Sequence, residues 1–312
     1  MADVIERFLA GERRALARVI SRVENGTPEG RDYVRQLYSR SMVSHTVGVT
    51  GSAGSGKSTL AGALAAEFRN RGKTIGIIAV DPSSPFTHGA ILGDRIRMQD
   101  LALDPGVFVR SMAGRGALGG LAPAINDVVA VVAAFGFDYV MIETVGAGQD
   151  EVEIAGTATT TILVNNPGTG DDIQAMKAGI LEIADVLVVN KADHAGADTL
   201  ASQLRALLSL APPSERRPEI IKTIATKGEG MVELADAVVA HRAWLVESGR
   251  ESQRRESNAR HQLLATAQAI LLERIAARTE QRSLDDLVRR VAEREIDPHT
   301  AAEELVASLG DD

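Results

Sequence analysis

Residues 51–59 read GSAGSGKST, and residues 190–193 read NKAD. The first stretch matches G-x-x-x-x-G-K-[ST] in full. It follows an apolar, β-branched run, Thr46–Thr50, and precedes a helical pattern over Leu60–Phe68, the context the motif requires. Glycines at 51 and 56 let backbone N–H groups turn toward an anion at the positive end of a helix. Gly51, Ser52, Ala53, Gly54, Ser55 and Gly56, continued by Lys57, Ser58 and Thr59, therefore read as a phosphate cradle. Lys57 can reach the β- and γ-phosphates, and the Ser58 hydroxyl can ligate Mg²⁺. The chain is expected to bind a nucleoside triphosphate.

The second stretch says which one. Val186–Val189 is an apolar run that ends in an amide, a cation and a carboxylate: Asn190, Lys191 and Asp193. Guanine presents two donors side by side, and one carboxylate can accept both. Adenine would leave the Asp193 oxygens unpaired, so it is rejected. Asn190 can bond the other edge of the base while the Lys191 stem lies along its face. TIATKG, residues 223–228, follows the next strand pattern, where Thr223, Ala225 and Thr226 can offer backbone N–H groups to the guanine oxygen. GTP and GDP are the expected ligands.

Between these stretches lie the candidates for the metal and for catalysis. The run Tyr139–Ile142 leads into Glu143-Thr144-Val145-Gly146. Glu143 is expected near Mg²⁺, and the Gly146 N–H near the γ-phosphate. Asp81 ends another strand pattern, and Asp94 follows in ILGDRIRM. Taken singly, each carboxylate also reads as a helix cap or a surface charge. Converging on one nucleotide they make sense around a cation.

The elements that must carry these residues alternate. Strands are expected at Thr46–Thr50, Thr74–Val80, Val107–Arg110, Tyr139–Ile142, Thr161–Val164, Val186–Val189 and Glu219–Thr223, with helical patterns between several of them. Their nearly all-apolar character predicts a mainly parallel sheet covered on both faces, an α/β fold of the P-loop NTPase type. Ile5, Phe8, Leu9, Leu16, Val19, Ile20 and Val23 fall at helical spacing and predict an N-terminal helix stopped by Asn25-Gly26-Thr27-Pro28. From Met231 onward the chain is helical and charged, with Asp297-Pro298 reading as an N-cap followed by proline at the first helical position. The charged run 250–260 reads as a solvated helix face or connector. The expected division is an N-terminal helical segment (1–42), the nucleotide domain (43–230) and a C-terminal helical extension (231–312).

Composition narrows the class. The 312 residues include 34 Lys+Arg against 42 Asp+Glu, a net charge of −8, which argues against nucleic-acid or anionic-membrane binding. Cysteine is absent, which excludes disulfides and thiolate metal sites and fits a reducing cytoplasm. The N-terminus lacks a signal-peptide core, and the longest apolar-plus-glycine run, Val128–Phe137, is too short to span a bilayer. A cytoplasmic protein is expected.

The order GSAGSGKST, AVDPSSPFTHGAILGDRIRM, ETVGAGQDEVEI and GTGDDIQAMKAGILEIADVLVVNKAD resembles the MeaB/ArgK family of G-protein chaperones, over roughly residues 5–310 and including HRAWL at 241–245. The resemblance implies a slow, partner-stimulated GTPase that gates adenosylcobalamin loading into, and protects, a cobalamin-dependent acyl-CoA mutase. It implies a first switch from Asp81 to Asp94, a second over Gly146–Glu153 and a third at GDDIQAMK, where Lys177 can approach the nucleotide once the mutase docks. It also implies a homodimer formed through the helical extensions. The chain departs from the family at Ile173–Lys177, where LQGIK is usual, and at Asp150, where serine is common. No resident arginine finger is evident; Arg95, Arg97, Arg110 and Arg115 qualify only by proximity in sequence, and Gln149 only by analogy. The alternatives are a nucleotide-switched scaffold without turnover and another metal-enzyme maturation GTPase, which should show Cys or clustered His. A kinase linked to amino-acid transport would need an acceptor site, and none is visible in the sequence. Val43-Ser44-His45-Thr46-Val47-Gly48 lacks the Asp of a cobalamin-binding D-x-H-x-x-G motif and runs into a strand, which leaves the cobalamin with the partner.

Overall fold

Strands with apolar side chains on both faces need helices above and below them, and the chain is built that way. The computed structural model describes residues 2–82, 101, 103–114, 123–144, 150–168, 182–211, 215–278 and 281–307. Seven strands form one sheet: β1 (His45–Gly51), β2 (Ile75–Pro82), β3 (Val107–Gly114), β4 (Tyr139–Thr144), β5 (Thr160–Asn165), β6 (Val186–Val189) and β7 (Glu219–Lys222). Their order is β3-β2-β4-β1-β5-β6-β7, and every paired neighbour runs parallel. The chain leaves β1 toward β2 on one side and returns to β5 on the other. That reversal opens a crevice at the carboxyl end of β1, where ligands of open parallel sheets bind.

The described helices are α1 (Ala2–Leu9), α2 (Arg13–Glu24), α3 (Pro28–Leu37), α4 (Lys57–Asn70), α5 (Pro123–Ala134), α6 (Asp150–Thr157), α7 (Ala197–Leu210), α8 (Met231–Glu247), α9 (Glu251–Arg278), α10 (Gln281–Ala292) and α11 (Pro298–Ala307). Alternate strand residues divide between two cores, as the two-residue period of a strand requires. Val47, Val49, Ile75, Ile77 and Met141 pack against Leu60, Leu64 and Phe68 of α4 and Leu234 and Val238 of α8. Ile78, Val80, Val140 and Ile142 face Leu16, Val19 and Ile20 of α2 and Val128 and Val132 of α5. Where one N-terminal helix is expected there are three. The chain turns at Gly11, whose N–H bonds Phe8 O at 2.9 Å, and α3 starts after the stop signal, capped by the Thr27 hydroxyl on Gly30 N at 3.1 Å. Phe8 and Leu16 still share one core, so the apolar period survives the break.

The chain divides into two compact units, 1–259 and 260–312. In the second, Asp297 caps α11 by accepting from His299 N at 2.9 Å and Thr300 N at 3.1 Å, as its sequence predicts. Arg290 and Glu304 join α10 to α11 through two hydrogen bonds. Among the described residues no helix is long and apolar enough to cross a membrane.

The amino end of the sheet carries a buried polar chain. His45 Nε2 lies 2.8 Å from Thr160 Oγ1, and Thr160 Oγ1 lies 2.7 Å from His241 Nδ1. His241 Nε2 lies 3.3 Å from Asp185 Oδ1, while Asp185 Oδ2 accepts from Thr161 N at 2.8 Å and Arg254 Nη2 at 3.0 Å. Neutral imidazoles satisfy both hydroxyl links in one direction: His45 donates to Thr160 and Thr160 to His241, whose Nε2 faces the carboxylate. Burial pushes both imidazoles down to about 3, helped by Arg242 and His241 at His45 and by Arg216 and Arg254 at His241. Burial raises Asp185, against the pull of Arg254, the Thr161 N–H and Arg216. The charged run 250–260 is therefore not wholly a solvated face. Arg254 reaches Asp185, and Asn258 Nδ2 donates to Ala158 O at 3.0 Å.

Because both imidazoles stay neutral in the folded protein but protonate near pH 6.5 when unfolded, the unfolded state takes up more protons as the pH falls. Stability is then fully present above pH 6.5 and is lost toward pH 3, by up to about 1.4 kcal/mol per pH unit for each imidazole. Denaturant unfolding from pH 7 to 5 should show this slope, and His241→Gln should remove about half of it; an unchanged slope in that variant would rule out the neutral chain.

Candidate functional site

The phosphate loop lies at the carboxyl end of β1, where β1 must turn sharply into α4. Gly51 has φ +140°, and a Cβ there would stand 2.1 Å from Val164 O of the neighbouring strand β5. Gly56 has φ +93°, and a Cβ there would meet Asn190 Nδ2 at 2.4 Å. Only glycine suits either position. Within the loop Ser52 and Gly56 are partly exposed, Ala53 and Gly54 are open to solvent, and Ser55 is buried. Lys57 is also buried, and its ammonium donates to Gly51 O at 2.9 Å and Ser52 O at 2.8 Å. The ammonium is therefore held against the loop's own carbonyls. Thr59 lies in the first turn of α4, partly exposed.

Ser58 Oγ donates to Glu143 Oε1 from the first turn of α4 to the end of β4. Glu143 is buried, 4% exposed. A hydroxyl and a carboxylate oxygen share one corner beside the loop, a hard-oxygen donor set that suits Mg²⁺. Asp81 is placed near this corner by register, since Val80 pairs with Thr144 and Asp81 with Ala113 at the carboxyl ends of β2 to β4. Its side chain, and all of Asp94, Gly146, Gln149 and Lys177, lie outside the described residues. Arg110 is drawn elsewhere. It bonds Glu24 Oε2 at 2.5 Å and Ser21 Oγ at 3.3 Å, so it anchors β3 to α2, away from the phosphate loop.

The base-reading residues follow β6. Asn190 N donates to Asn165 O at 2.7 Å, which extends the sheet by one residue. Its buried side chain then joins three segments: Nδ2 donates to Ser55 O at 2.9 Å, and Oδ1 accepts from Thr223 Oγ1 at 3.1 Å and Ala225 N at 3.2 Å. Lys191 takes φ +55° and extends to Gly54 O at 2.8 Å, laying its stem over the loop. Asp193 stands at the rim, with Lys227 Nζ 3.6 Å from its carboxylate. Thr226 is exposed in the short 3₁₀ turn Ala225–Lys227. The structure thus brings together Ser55, Lys57, Ser58, Glu143, Asn190, Lys191, Thr223 and Ala225. The structure corrects the expectation for TIATKG: Thr223 N donates to Val189 O at 2.9 Å and Ala225 N to Asn190 Oδ1 at 3.2 Å, so both N–H groups are taken within the protein instead of being offered to a guanine oxygen. The Ser55 carbonyl as the anchor of Asn190 and Lys227 as the partner of Asp193 also go beyond the sequence reading. Lys227 sits inside TIATKG, but only the fold turns it toward position 193.

The family model described as methylmalonyl-CoA mutase-associated GTPase MeaB matches residues 16–280. A Pyrococcus abyssi protein named as a GTPase is 44% identical over 311 residues, covering 98% of this chain and 96% of that one. A Caenorhabditis elegans protein named methylmalonic aciduria type A homolog, mitochondrial, is 34% identical over 273 residues, 81% of this chain and 68% of its own length. Among solved structures, one titled LAO/AO transport system kinase superposes with a TM-score of 0.73 at 26% identity, covering 97% of this chain and 95% of that one.

An amide at position 193 offers one acceptor where guanine presents two donors. Asp193→Asn should therefore lose most of the preference for GDP over ADP, roughly 2–4 kcal/mol of discrimination. Calorimetric titration of the variant with both nucleotides gives the ratio directly; an undiminished preference for GDP would remove Asp193 from the base site.

Proposed function

Because the chain belongs to the MeaB family of mutase-associated GTPases, we propose that it is a GTP-hydrolysing chaperone that gates adenosylcobalamin loading into a cobalamin-dependent acyl-CoA mutase and protects the loaded enzyme. The observation that carries the nucleotide half of this reading is the Asn190 amide, which joins the phosphate loop to both base-reading segments in one buried cluster. The partner half is supported by the family match and by the name of the Caenorhabditis elegans relative. A cytoplasmic location is part of the same proposal.

Hydrolysis breaks the bond from the γ-phosphorus to the β–γ bridging oxygen as water attacks from the opposite side, giving GDP and phosphate. The loop N–H groups and Lys57 would hold the phosphates, and Ser58 and Glu143, with Asp81 and Asp94, would hold Mg²⁺. A bound Mg²⁺ supplies charge neutralisation on the phosphate oxygens. The Gly146 N–H reads the γ-phosphate. Intrinsic turnover is slow: of the arginines near the switch segments in sequence, the described one, Arg110, is held by Glu24 and Ser21 instead of facing the transferring group. Docking of the mutase brings Lys177 to the nucleotide, where its charge meets the transferring phosphate.

The helical extension supports a homodimer. Leu263, Leu264, Leu271 and Leu272 of α9 are 69%, 56%, 55% and 52% exposed, an apolar surface a second copy would cover. Light scattering at micromolar concentration with GDP bound should give the dimer mass, and a monomer mass would contradict the assignment.

Phosphate release with and without the mutase tests the switch. The mutase recovered with this protein from its cell of origin should accelerate hydrolysis, and a docked cation of this kind contributes about 10³–10⁵-fold in phosphoryl transfer. Lys177→Ala should abolish the acceleration and leave intrinsic turnover and GDP affinity nearly unchanged. Full stimulation in that variant would remove Lys177 from the mechanism.

A further inference from the structure

Strand β6 is four residues long and is gripped at both ends. At its carboxyl end, Thr223 N donates to Val189 O at 2.9 Å, Asn190 N to Asn165 O at 2.7 Å, and the Asn190 side chain binds the phosphate loop. At its amino end stands Asp185, whose N–H donates to Thr161 O at 2.9 Å. Its carboxylate accepts from Thr161 N at 2.8 Å and Arg254 Nη2 of α9 at 3.0 Å, and His241 Nε2 of α8 faces it at 3.3 Å. A strand of this length spans about 13 Å, so the contacts at its two ends are joined by a short extended segment. A short strand can begin without a buried carboxylate, and burying one is costly unless donors converge on it.

The HRAWL segment supplies the other side of this junction. His241 stacks on Trp244 with ring centroids 5.8 Å apart and planes at 24°, and Arg216 and Arg250 approach the indole at 5.9 Å and 6.0 Å. Trp244 is the one tryptophan in the chain. We propose that Asp185 is a positioning residue for guanine recognition: held by Arg254 and the Thr161 N–H and packed against His241, it fixes the start of β6 and couples the packing around Trp244 to the base-reading end of the same strand. The inference rests on the guanine reading of Asn190 and Asp193 and adds a mechanical link from that site to α8 and the start of α9. By reciprocity, whatever shifts these helices changes guanine-nucleotide affinity by the factor with which nucleotide shifts them.

The test is the emission of Trp244 in the full-length protein, titrated with GDP and, as control, ADP, alongside calorimetry. GDP should change the emission in step with the calorimetric isotherm, and ADP should not. Arg254→Ala should abolish the emission change and weaken GDP binding about fivefold or more, and Arg254→Lys should restore much of both. Asn258→Ala, which removes the α9 contact to Ala158 without touching Asp185, should leave the response intact. GDP binding without any emission change in the wild type overturns the coupling while the guanine reading stands. A full response in Arg254→Ala, or an equal loss in Asn258→Ala, also overturns it. Absence of GDP binding by calorimetry overturns both readings together.

Discussion

The amide of Asn190 is the interaction on which the site depends. One planar group donates to the Ser55 carbonyl and accepts from Thr223 and Ala225, so three loops from distant parts of the chain are held to a single buried point. The constraint propagates outward. Gly56 must lack a Cβ because the Asn190 amide occupies that space, and the loop so shaped places Lys57 against its own carbonyls and Ser58 beside Glu143. A carboxylate at this position could not donate to Ser55 O, and an aliphatic residue would leave three buried polar groups without a partner, each costing about 1–3 kcal/mol.

Much of this architecture is legible in the sequence for a simple reason. Parallel strands buried on both faces are written as apolar runs, and Val186–Val189 occurs in the structure with the bounds its composition suggests. The phosphate loop is equally plain because its chemistry demands glycine at fixed spacing. Other features depend on contacts far apart in sequence. The apolar period over Ile5–Val23 persists through the turn at Gly11, so periodicity alone does not separate α1 from α2. The run 250–260 looks like a solvated face because charge is its local signal, yet Arg254 is directed at a buried carboxylate supplied by residue 185. Arg110 is near the switch segments in sequence and turned toward α2 in space.

His45 shows the same limit. In sequence it is a lone histidine ahead of a strand. In the fold it is the first donor of a chain that runs through Thr160 and His241 to Asp185. The amino end of the sheet, far from the phosphate loop along β1, thereby carries a network as specific as the site itself.

The central claim is that this fold reads guanine. Isothermal calorimetry of the wild-type protein with GTP and ATP in the presence of Mg²⁺ tests it most directly. The structure predicts that GTP binds and that ATP binds at least about thirtyfold more weakly, the equivalent of roughly 2 kcal/mol. Equal affinities for the two nucleotides would contradict it.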